Sequence, residues 1–110
     1  MPFRSLIEFK VQPGAQSAFA AAYLYNGFLR RAQSAPGFLS GEFLQPDADG
    51  TSFWATALWR TQADYAAWQR AYLTVFSASE IQAIGQYLVE APVGIALAVM
   101  SEVEGEQDEN

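Results

Sequence analysis

The sequence predicts an α+β domain of the ferredoxin-like, split βαβ class, in which helices cover one face of a four-stranded antiparallel sheet. The main observation is that apolar residues switch between a period of two and a helical period in the order β-α-β-β-α-α-β. Proline and glycine separate most of these segments. A chain of 110 residues has room for one hydrophobic core. We therefore expect one domain over residues 1–101, followed by an acidic C-terminal tail over residues 102–110.

The first strand is predicted from Phe3 to Val11, where one face carries mostly apolar side chains and Gln12-Pro13-Gly14 ends the pattern. The alanine-rich segment 15–33 contains no proline and is predicted to be one helix. Residues spaced three and four apart form its apolar face, which includes a single amide. This face consists of Phe19, Ala22, Tyr23, Asn26 and Leu29.

Two further strands are predicted from Phe38 to Gln45 and from Ser52 to Trp59, joined by a turn that ends in Asp49-Gly50. On the second of these strands, one face places two small residues between aromatic ones, a pattern that leaves room for a hollow. That face carries Phe53, Ala55, Ala57 and Trp59, whereas Trp54 lies on the opposite face.

Thr61 and Asp64 predict the start of a second helix, and Ser77 with Glu80 predicts the start of a third. The second helix carries an aromatic stripe of a kind that is more typical of core or interface packing than of a cofactor site. The stripe consists of Tyr65, Trp68, Tyr72 and Phe76. Pro92 ends the third helix.

The last strand is predicted from Val93 to Met100, with large side chains on one face and small ones on the other, so we expect both faces to be covered. Several other strands also carry large apolar residues on both sides. Helices can cover only one face of the sheet, and an exposed apolar patch of that size usually marks an interface. A homodimer in which two sheets face each other is the arrangement we expect.

The charge distribution excludes several classes of function. The net charge is −6, but five acidic residues lie between positions 102 and 110, so the folded body is almost neutral. Only six residues are lysine or arginine, and they are scattered, so nucleic acid is not an expected partner. No apolar run is long enough to span a bilayer, and the N-terminus does not resemble a signal peptide. We expect no membrane partner and a cytoplasmic location.

The absence of cysteine and histidine limits the chemistry further. A thiolate nucleophile and a zinc–sulfur centre are impossible, and the commonest general base is missing. No glycine-rich phosphate loop or cluster of metal-ligating residues is present. Catalysis, where it occurs, depends on carboxylates, Tyr, Trp, Asn, Lys or Arg, or on the substrate itself. We expect neither a metal nor a cofactor.

Three groups of residues resemble landmarks of the antibiotic biosynthesis monooxygenase family of dimeric α+β barrels. They are Ile7-Glu8-Phe9-Lys10-Val11-x-Pro13-Gly14, then Pro36-Gly37-Phe38-Leu39-Ser40-Gly41-Glu42, then Leu58-Trp59 followed by Tyr65 and Trp68. The resemblance extends from residue 3 to about residue 100. It implies a homodimeric barrel that oxygenates a small aromatic, polyketide or quinol-type substrate with O₂, without metal or flavin. The same barrel supports many functions.

The resemblance also implies which residues form the site. In the polyketide-tailoring branch, the pocket is lined by a Trp at the end of the third strand and a Tyr early in the next helix. The corresponding residues here are Trp59 and Tyr65. That branch has an Asn earlier in the third strand, where this chain has Ala55. The haem-degrading branch uses an Asn near the position of Ile7 and a His, and this chain has neither. Haem degradation is therefore disfavoured.

We accordingly expect Trp59 to stack on the substrate and donate its indole N–H, and Tyr65 to hydrogen-bond a substrate oxygen or shuttle a proton. Asn26 is expected to supply the amide that Ala55 lacks. The remaining predicted substrate-binding residues are Phe19, Tyr23, Ala55, Ala57, Trp68 and Tyr72.

The alternative is a dimeric barrel without turnover, which binds a small apolar molecule or only stabilises itself. In that case Trp59 and Tyr65 close the contact between sheet and helix, and Asn26 bonds to backbone at the edge of the core. An open cavity bounded by Trp59, Tyr65 and Asn26 favours the enzyme, whereas a space filled by side chains favours the alternative.

Overall fold

The computed structural model describes residues 1–106. The strands in this part of the chain are β1 (Phe3–Lys10), β2 (Phe38–Leu44), β3 (Ser52–Trp59) and β4 (Val93–Ala98). Its α-helices are α1 (Gln16–Tyr25), α2 (Gln62–Val75) and α3 (Ala78–Gly85), and a short 3₁₀ helix, Arg30–Ser34, lies between α1 and β2.

The four strands form one sheet in the order β2-β3-β1-β4, and every neighbouring pair is antiparallel. This confirms the predicted ferredoxin-like α+β fold. The register of the two central strands pairs Trp59 with Phe3, Ala57 with Ser5, and Ala55 with Ile7. Because paired residues share a face of a sheet, Ser5 and Trp59 lie on the same side as the two alanines. That side faces the helices.

The prediction of a single helix over residues 15–33 is wrong. Helix α1 ends at Tyr25, and Gly27 adopts a left-handed conformation with φ of 63°. A residue in this conformation cannot continue a right-handed helix, and glycine adopts it without steric cost. The chain therefore turns after Asn26 and resumes as the 3₁₀ helix. We call residues 26–35, which cross the helix-covered side of the sheet, the connecting segment.

Both predicted helix caps after β3 are confirmed. The Thr61 hydroxyl accepts a hydrogen bond from the Asp64 backbone N–H at 3.1 Å. Ser77 and Glu80 form a capping box, in which each side chain accepts from the other residue's backbone N–H. Such caps satisfy N–H groups that the first turn of a helix leaves unpaired, so α2 and α3 begin where these local signals place them.

The turn between β2 and β3 differs from the predicted Asp-Gly hairpin. The residue with positive φ is Ala48, at 45°, and not Gly50. A Cβ at Gly50 would lie 2.7 Å from Cβ of Pro46. Glycine is therefore needed at this position because a side chain would collide with Pro46. The Asp-Gly pair predicts the position of the turn but not its backbone conformation.

The expectation that both faces of β4 are covered is wrong for the single chain. Val93, Ile95 and Leu97 are exposed. Through the register with β1, they lie on the same side as Leu6, and β3 adds Trp54, Thr56 and Leu58. We call this side of the sheet, away from the helices, the open face.

Residues 102–106 of the predicted acidic tail are exposed and belong to no helix or strand, and residues 107–110 lie outside the described part of the chain. Within residues 1–106, no helix is both long enough and apolar enough to cross a membrane.

Arg31 fastens the connecting segment to the ends of α2 and α3. Its guanidinium forms an ion pair with Glu80 and donates to the Val75 carbonyl oxygen at 3.3 Å. It also lies 5.0 Å from the centre of the Phe76 ring, within the range of a cation–π contact. The hydrogen bond from Arg31, with that from the Ser77 backbone, lowers the pKa of Glu80 from 4.5 to about 2.

Acid is therefore expected to weaken the fold partly through Glu80. Because its folded pKa is depressed, the stabilisation is fully present above pH 4.5 and is lost as the pH falls toward about 2. Glu80→Gln removes this dependence, so its free energy of unfolding should fall less than that of the wild type across this interval. Urea titrations at several pH values measure the difference, with Glu102→Gln as an exposed control. Parallel curves for the wild type and Glu80→Gln would contradict the prediction.

Candidate functional site

A buried cavity of about 60 Å³ lies between the sheet and the helices, and we call it the seam cavity. It lies where two clusters of buried residues meet, one around Phe9 and Phe19 and the other around Trp59 and Tyr65. Of the nine predicted site residues, six line it: Tyr23, Ala55, Ala57, Trp59, Trp68 and Tyr72. The small side chains of the two alanines leave the space, as the alternation along β3 predicts.

Trp59 is held from several sides. Its side chain is 1% exposed, and its ring centre lies 5.4 Å from that of Phe38 and 5.7 Å from that of Tyr65. The ring of Trp68 lies 6.3 Å away, across from the sheet. The indole N–H donates a hydrogen bond to the hydroxyl oxygen of Ser5 at 3.1 Å. Trp59 therefore has a fixed orientation at the cavity wall, and its N–H already has a partner.

Ser5 is a cavity residue that the sequence did not identify. It is 4% exposed and lines the seam cavity beside Trp59. Its position on the inward side of β1 was predictable from the strand alternation. Its partner was not predictable, because Trp59 is 54 residues away in sequence and only the strand register brings the two together. Phe28, Leu29 and Ala32, from the connecting segment, also line the cavity.

Tyr23 and Tyr72 add two phenol hydroxyl groups to the cavity residues. Burial raises the pKa of Tyr23 well above 10, and the nearby Tyr72 raises it further. Burial also raises the pKa of Tyr72. Both phenols are therefore protonated at neutral pH and serve as hydrogen-bond donors, not as bases.

Tyr65 lies behind Trp59, away from the seam cavity. Its hydroxyl oxygen lies 3.5 Å from the position that a Cβ on Gly94 would occupy, over the edge strand β4. Burial raises its pKa. Tyr65 thus contacts the indole ring of Trp59, but it is not among the residues that line the cavity.

Asn26 and Phe19 also lie outside the cavity lining. The Asn26 amide donates to the Ala22 carbonyl oxygen at 2.8 Å, at the end of α1. Phe19 is 0% exposed and its ring packs against four other aromatic rings, at centre distances of 5.2 to 6.1 Å. Asn26 was expected to supply the amide that Ala55 lacks. In this conformation it does not, because its amide is bonded to Ala22 and Asn26 does not line the cavity.

The seam cavity lies next to a surface groove, with which it shares three lining residues. The open groove has a volume of about 560 Å³ and runs between α1, the connecting segment and β2. Tyr23, Phe28 and Leu29 line both spaces. Pockets for organic ligands typically measure about 300–1,000 Å³, so the cavity alone holds water or dioxygen, whereas the cavity and groove together provide the volume that an aromatic ligand needs.

None of the described residues that line the seam cavity carries a charge at neutral pH. The described part of the chain also contains no group of three or more acidic, His or Cys residues arranged to hold a metal ion. The polar groups available to a ligand are hydroxyls, because the Trp59 indole N–H already donates to Ser5. Such a site can orient an aromatic molecule and donate hydrogen bonds to its oxygens.

A four-stranded antiparallel sheet with helices on one face, and an aromatic cavity between the two layers, defines a ferredoxin-like α+β protein. The sequence matches the family described as antibiotic biosynthesis monooxygenase over residues 2–73. The chain therefore belongs to the antibiotic biosynthesis monooxygenase family. No functionally curated protein matches it in sequence.

Solved structures of this fold are similar over nearly the whole chain. A monooxygenase from the gene ActVA-Orf6 of Streptomyces coelicolor, in complex with nanaomycin D, is 20% identical with a TM-score of 0.72, covering 94% of this chain and 92% of that one. SnoaB, a cofactor-independent oxygenase from Streptomyces nogalater, is 16% identical with a TM-score of 0.69, covering 94% and 98%.

A dimeric ferredoxin-like protein from an uncultured marine organism is 10% identical with a TM-score of 0.78, covering 96% and 93%. The same fold also occurs in a heme-degrading protein from Mycobacterium tuberculosis. At these identities the similarity shows the fold alone.

Proposed function

We propose that this protein is a cofactor-independent monooxygenase that oxidises a small aromatic, anthrone or hydroquinone-type substrate with O₂. The observation that carries the proposal is the seam cavity, which combines aromatic walls with the hydroxyls of Ser5, Tyr23 and Tyr72 and contains no charged lining residue. Family membership and the similarity to an oxygenase that needs no cofactor support it.

The proposed chemistry starts from the substrate anion. A phenol or anthrone loses a proton, and the hydroxyl donors stabilise the negative charge on its oxygen in a site without bulk water. The anion gives one electron to O₂, and the two radicals combine to form a carbon-bound peroxide. For an anthrone, loss of water from the hydroperoxide converts the CH₂ group to a carbonyl group. One oxygen atom enters the product, the other leaves as water, and the substrate supplies all four electrons.

The pH dependence of this reaction should follow the acidity of the substrate. Because Tyr23 and Tyr72 remain protonated at neutral pH, and no lining residue is a carboxylate, the cavity offers no general base. The substrate therefore ionises by losing its proton to solvent as it binds. The rate should rise with pH according to the pKa of the bound substrate, so substrates of different acidity should give different pH profiles.

The proposed route of access is the groove beside α1. Leu29, on the connecting segment, stands between the groove and the seam cavity. Its displacement would join the two spaces, and the 3₁₀ helix that follows it has few long-range backbone hydrogen bonds to hold it in place. Leu29→Ala is expected to lower KM for a bulky aromatic substrate while leaving kcat nearly unchanged.

The test of the function is O₂ uptake with a panel of anthrones and hydroquinones. Trp59→Phe and Tyr72→Phe should lower kcat/KM by about 10- to 100-fold, because the first removes the indole that holds the Ser5 hydroxyl and the second removes a phenol hydroxyl of a cavity residue. Tyr65→Phe should change it by less than about threefold, because Tyr65 is not among the residues that line the cavity. Tyr25→Phe, on the exposed end of α1, is the matched control. If no compound consumes O₂ faster than buffer does, the enzyme proposal fails.

A second candidate, a binder of small apolar molecules without turnover, is favoured by the size of the seam cavity. At about 60 Å³, the space between sheet and helix is largely filled by side chains. The O₂ electrode separates the two functions, because a binder takes up the aromatic compound without any increase in oxygen consumption.

We also propose that the protein is a homodimer formed through the open face. Val93, Ile95 and Leu97 expose large apolar side chains there. Among the described residues, Thr56 Oγ1 is the one buried side-chain polar atom without a hydrogen-bond partner, and it lies at the centre of the same face. A second copy would cover the apolar side chains, whereas Thr56 Oγ1 is already enclosed by its own chain.

A further inference from the structure

We infer that Ser5 determines ligand specificity at this site: its hydroxyl orients Trp59 and donates a hydrogen bond to an oxygen atom of the bound ligand. The inference rests on the proposed function for the class of ligand, a flat aromatic ring that carries a ketone or phenol oxygen. It adds a residue that neither the aromatic stripe nor the Trp59–Tyr65 pair contains.

The first support is the hydrogen-bond inventory of the hydroxyl. A serine hydroxyl has one hydrogen to donate and two lone pairs to accept with. The Trp59 indole N–H uses one lone pair, at 3.1 Å. That contact is the one side-chain hydrogen bond that the described residues make with Ser5 Oγ, so the hydroxyl hydrogen has no acceptor among those residues and is available to an occupant of the seam cavity. Ser5 is 4% exposed, and an unused donor at that depth is unfavourable.

The second support is the position of Ser5 in the sheet. It lies opposite Ala57, and the next inward pair along the two strands is Ile7 with Ala55. Ser5 lines the seam cavity together with both alanines. It is therefore a polar group next to the position where Ala55 leaves none, and it is fixed on a central strand. A group held in this way is better placed for recognition than Asn26, whose amide is bonded to the Ala22 carbonyl.

The third support is the direction of the hydrogen bonds. Because Trp59 donates to Ser5, the serine oxygen gives up electron density in that contact, which makes its O–H a stronger donor at the end of a two-member chain. A ligand oxygen that accepts from Ser5 completes the chain without breaking the Trp59 contact. A hydrocarbon ring in the same place leaves the hydroxyl unpaired, so the site binds it less tightly.

The first measurement needs no ligand. In the NMR spectrum, Ser5→Ala should move the Trp59 indole N–H resonance upfield and speed its exchange with solvent, while the resonance of Trp54, on the open face, stays in place. Ser5→Thr, which restores a hydroxyl, should return the Trp59 resonance toward its wild-type position. An unchanged Trp59 resonance in Ser5→Ala would overturn the inference.

The second measurement compares two tricyclic compounds of similar size. Anthrone carries a ketone oxygen, and dihydroanthracene has a CH₂ group in its place. Under anaerobic conditions, the wild type should bind anthrone about 3- to 10-fold more tightly, the ratio that one neutral hydrogen bond provides. Ser5→Ala should reduce this ratio to about 1, and Ser52→Ala, a half-buried serine outside the cavity, should preserve it.

Trp59→Phe identifies the direct donor. If Ser5 donates to the ligand, Trp59→Phe keeps the preference for anthrone, although both compounds then bind less tightly. If the preference disappears in Trp59→Phe and survives in Ser5→Ala, the indole is the donor and the inference is wrong. It is also wrong if the wild type binds neither compound or binds both equally. A Ser5-dependent preference without O₂ uptake in air contradicts the proposed monooxygenase activity and leaves the role of Ser5 intact.

Discussion

Phe19→Ala should lower the free energy of unfolding by about 3–5 kcal/mol, the usual range for removing a fully buried phenylalanine. The side chain is 0% exposed, and its ring lies 5.2 Å from that of Phe53 and 5.4 Å from that of Phe9. These contacts join α1 to both central strands. Domains of this size are stable by only about 5–15 kcal/mol, so the variant loses a large part of the total.

Leu24→Ala is the matched control, because Leu24 lies on the same helix but is exposed. It should change the free energy of unfolding by less than about 1 kcal/mol. Urea unfolding at one fixed protein concentration compares the three proteins, which removes the effect of a change in association. If Phe19→Ala lowers the free energy of unfolding by less than about 1 kcal/mol, the packing of Phe19 against the surrounding rings does not stabilise the fold as predicted.

The same variant separates a core residue from a ligand-binding one. Phe19 was predicted to bind substrate, but it is not among the residues that line the seam cavity. The folded fraction of Phe19→Ala should therefore keep most of the affinity for an anthrone. A large loss of affinity with normal stability would indicate that Phe19 contacts the ligand directly.

The parts of the fold that the sequence predicts well are those decided by neighbouring residues. The caps at Thr61 and Ser77 depend on contacts three residues apart, and both form as expected. The alternation along β3 assigns Ala55, Ala57 and Trp59 to the helix-covered side, and the pairing with β1 confirms it. Because local sterics and a period of two determine these features, a single sequence contains enough information to place them.

The errors arise where one residue outweighs a pattern or where distant segments meet. Gly27 ends α1 although the residues around it favour a helix, because a left-handed residue prevents continuation at any propensity. Because α1 ends before Gly27, Leu29 and Ala32 belong to the connecting segment, from which both line the seam cavity. The Ser5–Trp59 hydrogen bond requires the register of two strands, and the hydroxyl of Tyr65 points over Gly94 on a third. Neither contact has a local signature, so the cavity lining could be predicted only in part.

Ile95→Glu should convert the proposed homodimer into monomers. Ile95 is 50% exposed in the single chain and pairs with Leu6, which in turn pairs with Thr56, so it lies in the middle row of the open face. A two-fold interface would bury the substituted carboxylate twice, once in each copy. Burying one unpaired charge costs about 3–5 kcal/mol, and each 1.4 kcal/mol weakens association about tenfold. Association should therefore weaken by at least about a hundredfold.

Light scattering at micromolar concentration measures the result directly. The wild type should have about twice the mass of the 12.1 kDa chain, and Ile95→Glu should have the mass of one chain. Leu73→Glu, at a position of α2 that is 78% exposed, adds the same charge away from the open face and should remain dimeric. Circular dichroism should show that all three proteins are folded, since Ile95 already faces water in the single chain. A monomeric wild type would reject the dimer, and a dimeric Ile95→Glu would place the interface on another surface.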